Sequence, residues 1–313
     1  MPAAIVASLK DPSPRGAGVL LQEVKVVNRR LSTLAGQPRR LDGGVMFGAT
    51  PRPLWAAWMT PDHNNQISLA SRALLVQQEQ QNILVLAGSD SLLAPLPRAC
   101  RCQPHSVGLL DSLARHGLRE EDVHLVLLTH LQARLPPELQ AALRGGELPR
   151  LLFPRARYLV GERHWLRAQR PHPLDRALFV APLISQLESS GRLVLIDRSS
   201  SALLGPGWHL QSSDGFTPGQ LLPEIDMPAG KVIFAGDLLP GAPWLRLDVT
   251  SALDRNPECL VEEKERLLDH LVAIGGRLVL ARDPEVAMLR VNRDRQSRYQ
   301  PFDQHAELTR LDS

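Results

Sequence analysis

Lysine is nearly absent from this chain of 313 residues: of 36 basic side chains only Lys10, Lys25, Lys231 and Lys264 are lysines, so arginine carries the positive charge. Cysteine is scarce too, and Cys100, Cys102 and Cys259 are too few to hold a chain of this length in a disulfide framework. Aromatic residues make up 4%, and acids are interleaved with the arginines throughout. The basic clusters with stacking aromatics that nucleic acid demands are therefore missing, and nucleic acid is not expected as a partner. Apolar runs such as 83–87 and 125–128 stop far short of the roughly 20 residues of a membrane helix. The opening stretch MPAAIVASLKDPSPRG has no basic segment leading into an apolar core. The expectation is a cytoplasmic protein with no membrane partner.

What is present suits a folded chain. Hydrophobic residues reach 43% and the formal charge is only +3, which argues against disorder and allows one large domain or two small ones. Residues 1–40 are punctuated by proline and glycine, with one strand candidate at Val19–Val27, and read as an N-terminal arm or opening strand. Short strands are expected at Ile67–Ala70, Ala73–Gln78 and Asn82–Gly88, then a helix at Ser106–Gly117 whose Val107, Leu110, Leu113 and Ala114 share a face. Val123–Leu128 is continuously apolar, as a strand buried on both faces is. A short helix at Pro136–Leu143, a strand at Ala156–Val160 and a helix at Glu162–Gln169 follow. The second half repeats the order. Strands are expected at Leu193–Ile196, Trp208–Ser212, Gln220–Asp226 and Lys231–Ala235, then a helix at Glu258–Ile274 and a strand at Arg277–Ala281. Two such halves imply two sheets face to face with helices outside, in one domain over 41–295 with a tail at 296–313.

Four segments fall where apolar runs end, the place where sites collect in layered α/β folds. They are Thr129-His130-Leu131-Gln132-Ala133-Arg134-Leu135, Ser213-Asp214-Gly215-Phe216-Thr217-Pro218-Gly219, Phe234-Ala235-Gly236-Asp237-Leu238 and Ala281-Arg282-Asp283-Pro284. In order and spacing they resemble the metallo-β-lactamase superfamily, nearest its lactonase-like branch. The resemblance runs from about Gly44 to Val291 and includes Met46-Phe47-Gly48 and the EEKERLL run at Glu262–Leu268. It implies an α/β fold of four layers, an αββα sandwich.

The resemblance also implies a metal centre, and here the chain departs from it. The family's first motif reads T-H-x-H-x-D-H; a further His in G-H-T-P-G, the Asp of G-D-L and a late His complete two metal sites. His130 stands at the first His and Asp237 at the bridging Asp. The other five positions hold Gln132, Arg134, Leu135, Phe216 and Arg282, and the early acidic turn reads Ile83–Gly88 with Leu86 at the acidic position. Zinc-like ions take imidazole and carboxylate ligands; an arginine cannot be deprotonated, cannot ligate and repels a dication. No tightly bound metal cofactor is expected.

His130, Arg134, Asp237 and Arg282 become a candidate ligand or anion cleft. Arg134 and Arg282 are expected to replace the ions as counter-charges to Asp237, with Phe216 and Leu135 filling the volume of lost imidazoles. The bland reading of His130 is a hydrogen-bonded core histidine, and of Asp237 a loop-fixing carboxylate. The Cys100-x-Cys102 pair near His105 has no second Cys/His pair at zinc-finger spacing, and His63 beside Asp62 is only a faint echo of a substrate loop.

The resulting expectation is a pseudoenzyme, a non-catalytic binding or regulatory protein whose partner is another protein or a small anionic ligand, with a second copy of the chain left open. The alternative is a hydrolase of a lactone, ester or thioester using one weakly held zinc or other divalent metal, since the fold raises that prior. A purely structural role in an assembly is the third.

Overall fold

The computed structural model describes residues 27–93, 105–135, 137–146 and 150–312. The strand candidate at Val19–Val27, apart from Val27 itself, and the Cys100–Cys102 pair lie outside these residues. Strand identity follows from alternation. In β4 (Arg72–Gln78), β5 (Gln81–Leu86) and β6 (Leu125–Leu128), Leu74, Val76, Ile83, Val85, Leu125 and Leu127 point to one side, while Leu75, Leu84, Leu86, Val126 and Leu128 point to the other. A period of two with both sides apolar is what a sheet covered on both faces requires.

These strands form the centre of a seven-stranded sheet with β1 (Arg29–Ala35), β7 (Arg157–Gly161), β8 (Leu193–Ile196) and β15 (Leu311–Asp312), in the order β15-β1-β4-β5-β6-β7-β8. From β5 to β8 the pairing is parallel. Parallel neighbours need crossovers, and the crossovers are α3 (His105–Arg115), α4 (Pro137–Arg144), α5 (Glu162–Gln169) and α6 (Ala181–Ser189). Leu109, Leu113, Leu139, Trp165, Leu183 and Leu187 of these helices close the outer core of this sheet.

The second sheet has six strands: β9 (Trp208–Ser213), β10 (Gln220–Ile225), β11 (Val232–Phe234), β12 (Arg277–Val279), β13 (Met288–Arg293) and β14 (Tyr299–His305), in the order β14-β13-β12-β11-β10-β9. Trp208, Leu210, Leu221, Phe234, Val279 and Met288 meet the first sheet in the central core. On the far side, α7 (Pro257–Ile274) packs Leu260, Leu267, Leu268 and Leu271 against Leu222, Ile233, Leu278 and Leu289. Asn256 caps α7 by accepting from Cys259 N, Pro257 opens it, and Gly275 ends it at φ +58°. A cap of this kind is worth about 1 kcal/mol. The layers are helix, sheet, sheet, helix, as expected.

A small ribbon of β2 (Arg39–Asp42) and β3 (Gln66–Leu69) brackets α1 (Gly43–Phe47) and α2 (Arg52–Trp55). Phe47 stacks between Trp244 and Trp55, at 4.6 and 5.4 Å between ring centroids, and so fixes the ribbon over the second sheet. Residues 296–313, expected as a tail, contain β14 and β15. The edge of β13 presents backbone groups that need partners, and β14 supplies them.

Candidate functional site

Four sheet-end loops meet at one rim of the sandwich. The loop after β6 carries His130, Gln132 and Arg134; the loop between β9 and β10 carries Phe216; Asp237 follows β11 and Arg282 follows β12. The Arg282 loop is anchored to the first sheet. Ala70 N and Arg72 N donate to Arg282 O and Ala281 O, and the Arg72 guanidinium donates to Leu280 O at 2.6 Å and Asp283 O at 3.0 Å.

A buried imidazole joins the loop after β6 to the loop between β9 and β10. His164 of α5 accepts from Leu131 N at 2.8 Å through Nε2 and donates from Nδ1 to Pro218 O at 2.9 Å. Burial pushes its pKa down to about 3, so it stays neutral with a fixed tautomer. Gly219 sits at φ +76°, and a Cβ there would lie 2.5 Å from His164 N, so only glycine lets this loop come so close to the first turn of α5.

Asp237 is held on both oxygens. Arg282 Nε donates to Oδ1 at 2.7 Å, its Nη2 donates to Oδ2 at 3.1 Å, and His130 Nε2 lies 3.1 Å from Oδ2. Arg282 Nη2 also donates to Ala87 O at 2.5 Å. Burial alone would raise the Asp237 pKa, yet the Arg282 guanidinium and the His130 ring hold it well below the usual carboxylate range. Burial likewise opposes the Arg282 charge, and Asp237 raises its pKa. With Nε2–H of His130 facing the carboxylate, its buried Nδ1 has no partner among the described residues.

The remaining expected residues divide. Gln132 is buried and donates from Nε2 to Thr217 Oγ1 at 3.3 Å. Phe216 packs its ring 5.1 Å from that of His130. Arg134 lines the same cavity as His130, Gln132, Phe216, Asp237 and Arg282, but among the described residues it makes no hydrogen bond or ion pair. Of the two guanidiniums expected at Asp237, Arg282 bonds to it and Arg134 does not; burial, Arg39 and Arg282 lower the Arg134 pKa against the pull of Asp237. Leu135 does not line the cavity. It packs with Phe179 in the core beneath α4 and α6, because the chain has already turned away from the rim by residue 135.

Three charged residues at this rim carry no motif. Arg39 of β2 and Asp90 form a buried ion pair, with side chains 8% and 3% exposed, and both line the cavity. Asp254 lines it as well, accepting from Ser251 N at 2.6 Å and Ser251 Oγ at 2.8 Å, and burial pushes its pKa up to about 6. None was legible in advance, since each lies in a segment with no repeated spacing. The cavity measures about 50 Å³, with Met46, Leu69, Trp244 and Leu260 on its apolar wall.

Similarity to solved structures agrees with this architecture. A probable metal-dependent hydrolase from Staphylococcus aureus superposes with a TM-score of 0.70 at 23% identity over 85% of this chain and 93% of that one. The hydrolase AbOPH of the beta lactamase superfamily gives 0.67 at 17% identity over 90% and 98%. This chain has the metallo-β-lactamase fold. AidC, a dizinc quorum-quenching lactonase, superposes at 0.66 with 16% identity over 89% and 95%. No protein-family model and no curated protein matches the sequence. Among the described residues, no helix is long and apolar enough to cross a membrane.

Proposed function

We propose that the chain is a metal-free binding or regulatory protein on a hydrolase fold, taking a small anionic ligand or a partner protein at the rim cleft. The observation that carries this reading is the two-point hold of Arg282 on Asp237, with His130 on the same carboxylate. A dication there would have to displace a guanidinium that satisfies both carboxylate oxygens, and would meet the positive charge of Arg134 and Arg282. The donor set does not fit zinc. One imidazole and one already-paired carboxylate fall short of the three protein ligands of a catalytic site; Gln132 is a weak neutral donor, and Phe216 offers none. Among the described residues, the only cluster of His, Cys, Asp and Glu close enough to hold an ion is His209, Glu224 and Asp226. It lies on β9 and β10 away from the cleft, where Lys231 already pairs with both acids.

In this reading the cleft binds without bond-breaking chemistry. His164 fixes the loops, Arg282 neutralises Asp237, and the remaining positive charge is free to receive an anion. The test is elemental analysis of protein purified without chelator, run alongside a panel of lactones, esters and thioesters. The expected result is metal far below one ion per chain and no turnover. Near-stoichiometric zinc, iron or manganese would overturn the proposal in favour of a metal-dependent hydrolase.

A further inference from the structure

Three guanidiniums, Arg39, Arg134 and Arg282, and three carboxylates, Asp90, Asp237 and Asp254, line the cleft, but they do not pair one to one. Arg39 pairs with Asp90 and Arg282 with Asp237. Asp254 has Lys264 as its nearby cation, whose ammonium is fully buried and donates to Arg246 O at 2.6 Å and Val249 O at 2.8 Å. Among the described residues that line the cleft, Arg134 is the guanidinium left without an ion pair. Arg39 lines the same cavity and turns only part of its fork to Asp90: its Nε and Nη2 are buried and have no hydrogen-bond partner among the described residues. Buried guanidinium donors are satisfied in nearly all proteins, because each unmade bond to a charged group costs on the order of 1–3 kcal/mol or more. Two unmade bonds on one lining guanidinium, beside a second that has no hydrogen bond or ion pair, describe a receptor for an oxyanion.

We infer that the cleft binds the carboxylate of a small monoanionic acid between Arg39 and Arg134, with its short apolar tail against Phe216, Met46 and Trp244. The inference rests on the metal-free reading above and adds the ligand class to it. A monoanion adds one negative charge beside the unpaired Arg134, whereas a phosphate dianion would bring a second one next to Asp90 and Asp237. A planar carboxylate also suits the planar fork of arginine. The apolar wall favours an alkyl group over a second polar head. The cavity of about 50 Å³ has room for an acid of roughly two to four carbons in its closed part.

The experiment is thermal denaturation and calorimetric titration of the full chain with sodium acetate, propionate and butyrate, against sodium chloride at equal ionic strength and against inorganic phosphate. Propionate or butyrate should raise the melting temperature saturably, with chloride giving no saturable rise and phosphate at least tenfold weaker. Arg134→Gln should fold, since it removes a charge with no partner, and should weaken carboxylate binding by roughly tenfold or more, the worth of a charged hydrogen bond. Arg39→Lys keeps a charge for Asp90 but loses the fork, and should weaken binding in the same way. Carboxylate binding absent from the wild type, unchanged in Arg134→Gln, or matched by phosphate would overturn the inference. Metal content of the same preparations separates the two readings. A metal-free chain that ignores carboxylates leaves the binding-protein reading standing, whereas stoichiometric metal removes that reading whatever the titration shows.

Discussion

Asp237 concentrates the energetics of the cleft in one carboxylate, because among the described residues its two oxygens have Arg282 and His130 to replace water. Removing one partner of a buried pair leaves the other charge unpaired, which costs about 3–5 kcal/mol, whereas exchanging both for apolar residues is often nearly neutral. Arg282→Ala should therefore lower the unfolding free energy by about 3 kcal/mol or more, and Arg282→Met combined with Asp237→Leu should recover most of that loss. Chemical denaturation of the three proteins reads it directly; equal stability of wild type and Arg282→Ala would show that the pair carries no weight. The pair also has a pH signature. Asp237 is held below the ordinary carboxylate range, so its contribution is complete above about pH 4 and is lost as the pH falls further. Sequence alone located Asp237, His130 and Arg282, since each follows an apolar strand at a motif position. It could not separate Arg134 from Arg282, because the direction in which a loop arginine points is set by neighbours such as Arg39 that no motif marks.

At the scale of elements, α5 and the segment leading into α7 set the shape of the rim through groups that titrate in opposite senses. His164 on α5 is neutral with its pKa at about 3, so the unfolded chain binds a proton below about pH 6.5 that the folded chain refuses, and stability falls on acidification. Asp254, raised to about 6 by burial, takes a proton in the folded state between about pH 6 and 4 before the unfolded chain does, and stability rises over that window. The two oppose each other. Asp254→Asn should expose the His164 slope: relative to wild type, its stability should fall between pH 6 and 4 by up to about 1.4 kcal/mol per unit. A constant offset between the two proteins across that range would refute the raised pKa. The elements were largely legible because their apolar spacing is regular. Leu193–Ile196 and Glu162–Gln169 were expected with the bounds they have, and α7 begins one residue earlier, at Pro257. Those that escaped notice have weaker patterns. In β14 only Tyr299 is buried and Pro301 is partly so, while the other positions face solvent, leaving little alternation to read. In α6, Pro182 in the first turn masks the helical spacing of Leu183, Ile184 and Leu187.

For the whole molecule, one edge of each sheet is formed by residues 299–312. β14 pairs with β13 from Arg293↔Tyr299 to Met288↔His305, and Ala287 N donates to His305 O at 2.7 Å. Beyond it, Thr33 N donates to Leu308 O at 2.8 Å and Leu308 N to Thr33 Oγ1 at 3.0 Å, before β15 joins the edge of β1. The C-terminal segment thus ties the edge of the second sheet to the edge of the first. Tyr299 anchors it from the other end: it is buried in the α7 core, its hydroxyl lies 2.6 Å from Asp269 of α7, and the Arg293 guanidinium stacks on its ring at 4.8 Å. Deleting residues 296–313 removes this clasp, uncovers Val291 and Leu289, and leaves two bare strand edges. The truncated chain should melt several degrees lower and aggregate at concentrations where the full chain stays monodisperse, read by scanning calorimetry and light scattering. Tyr299→Ala in the full chain removes only the buried anchor and should cost about 3 kcal/mol, as large aromatic truncations do. An unchanged melting temperature in both would show that the sandwich is complete without its last strands.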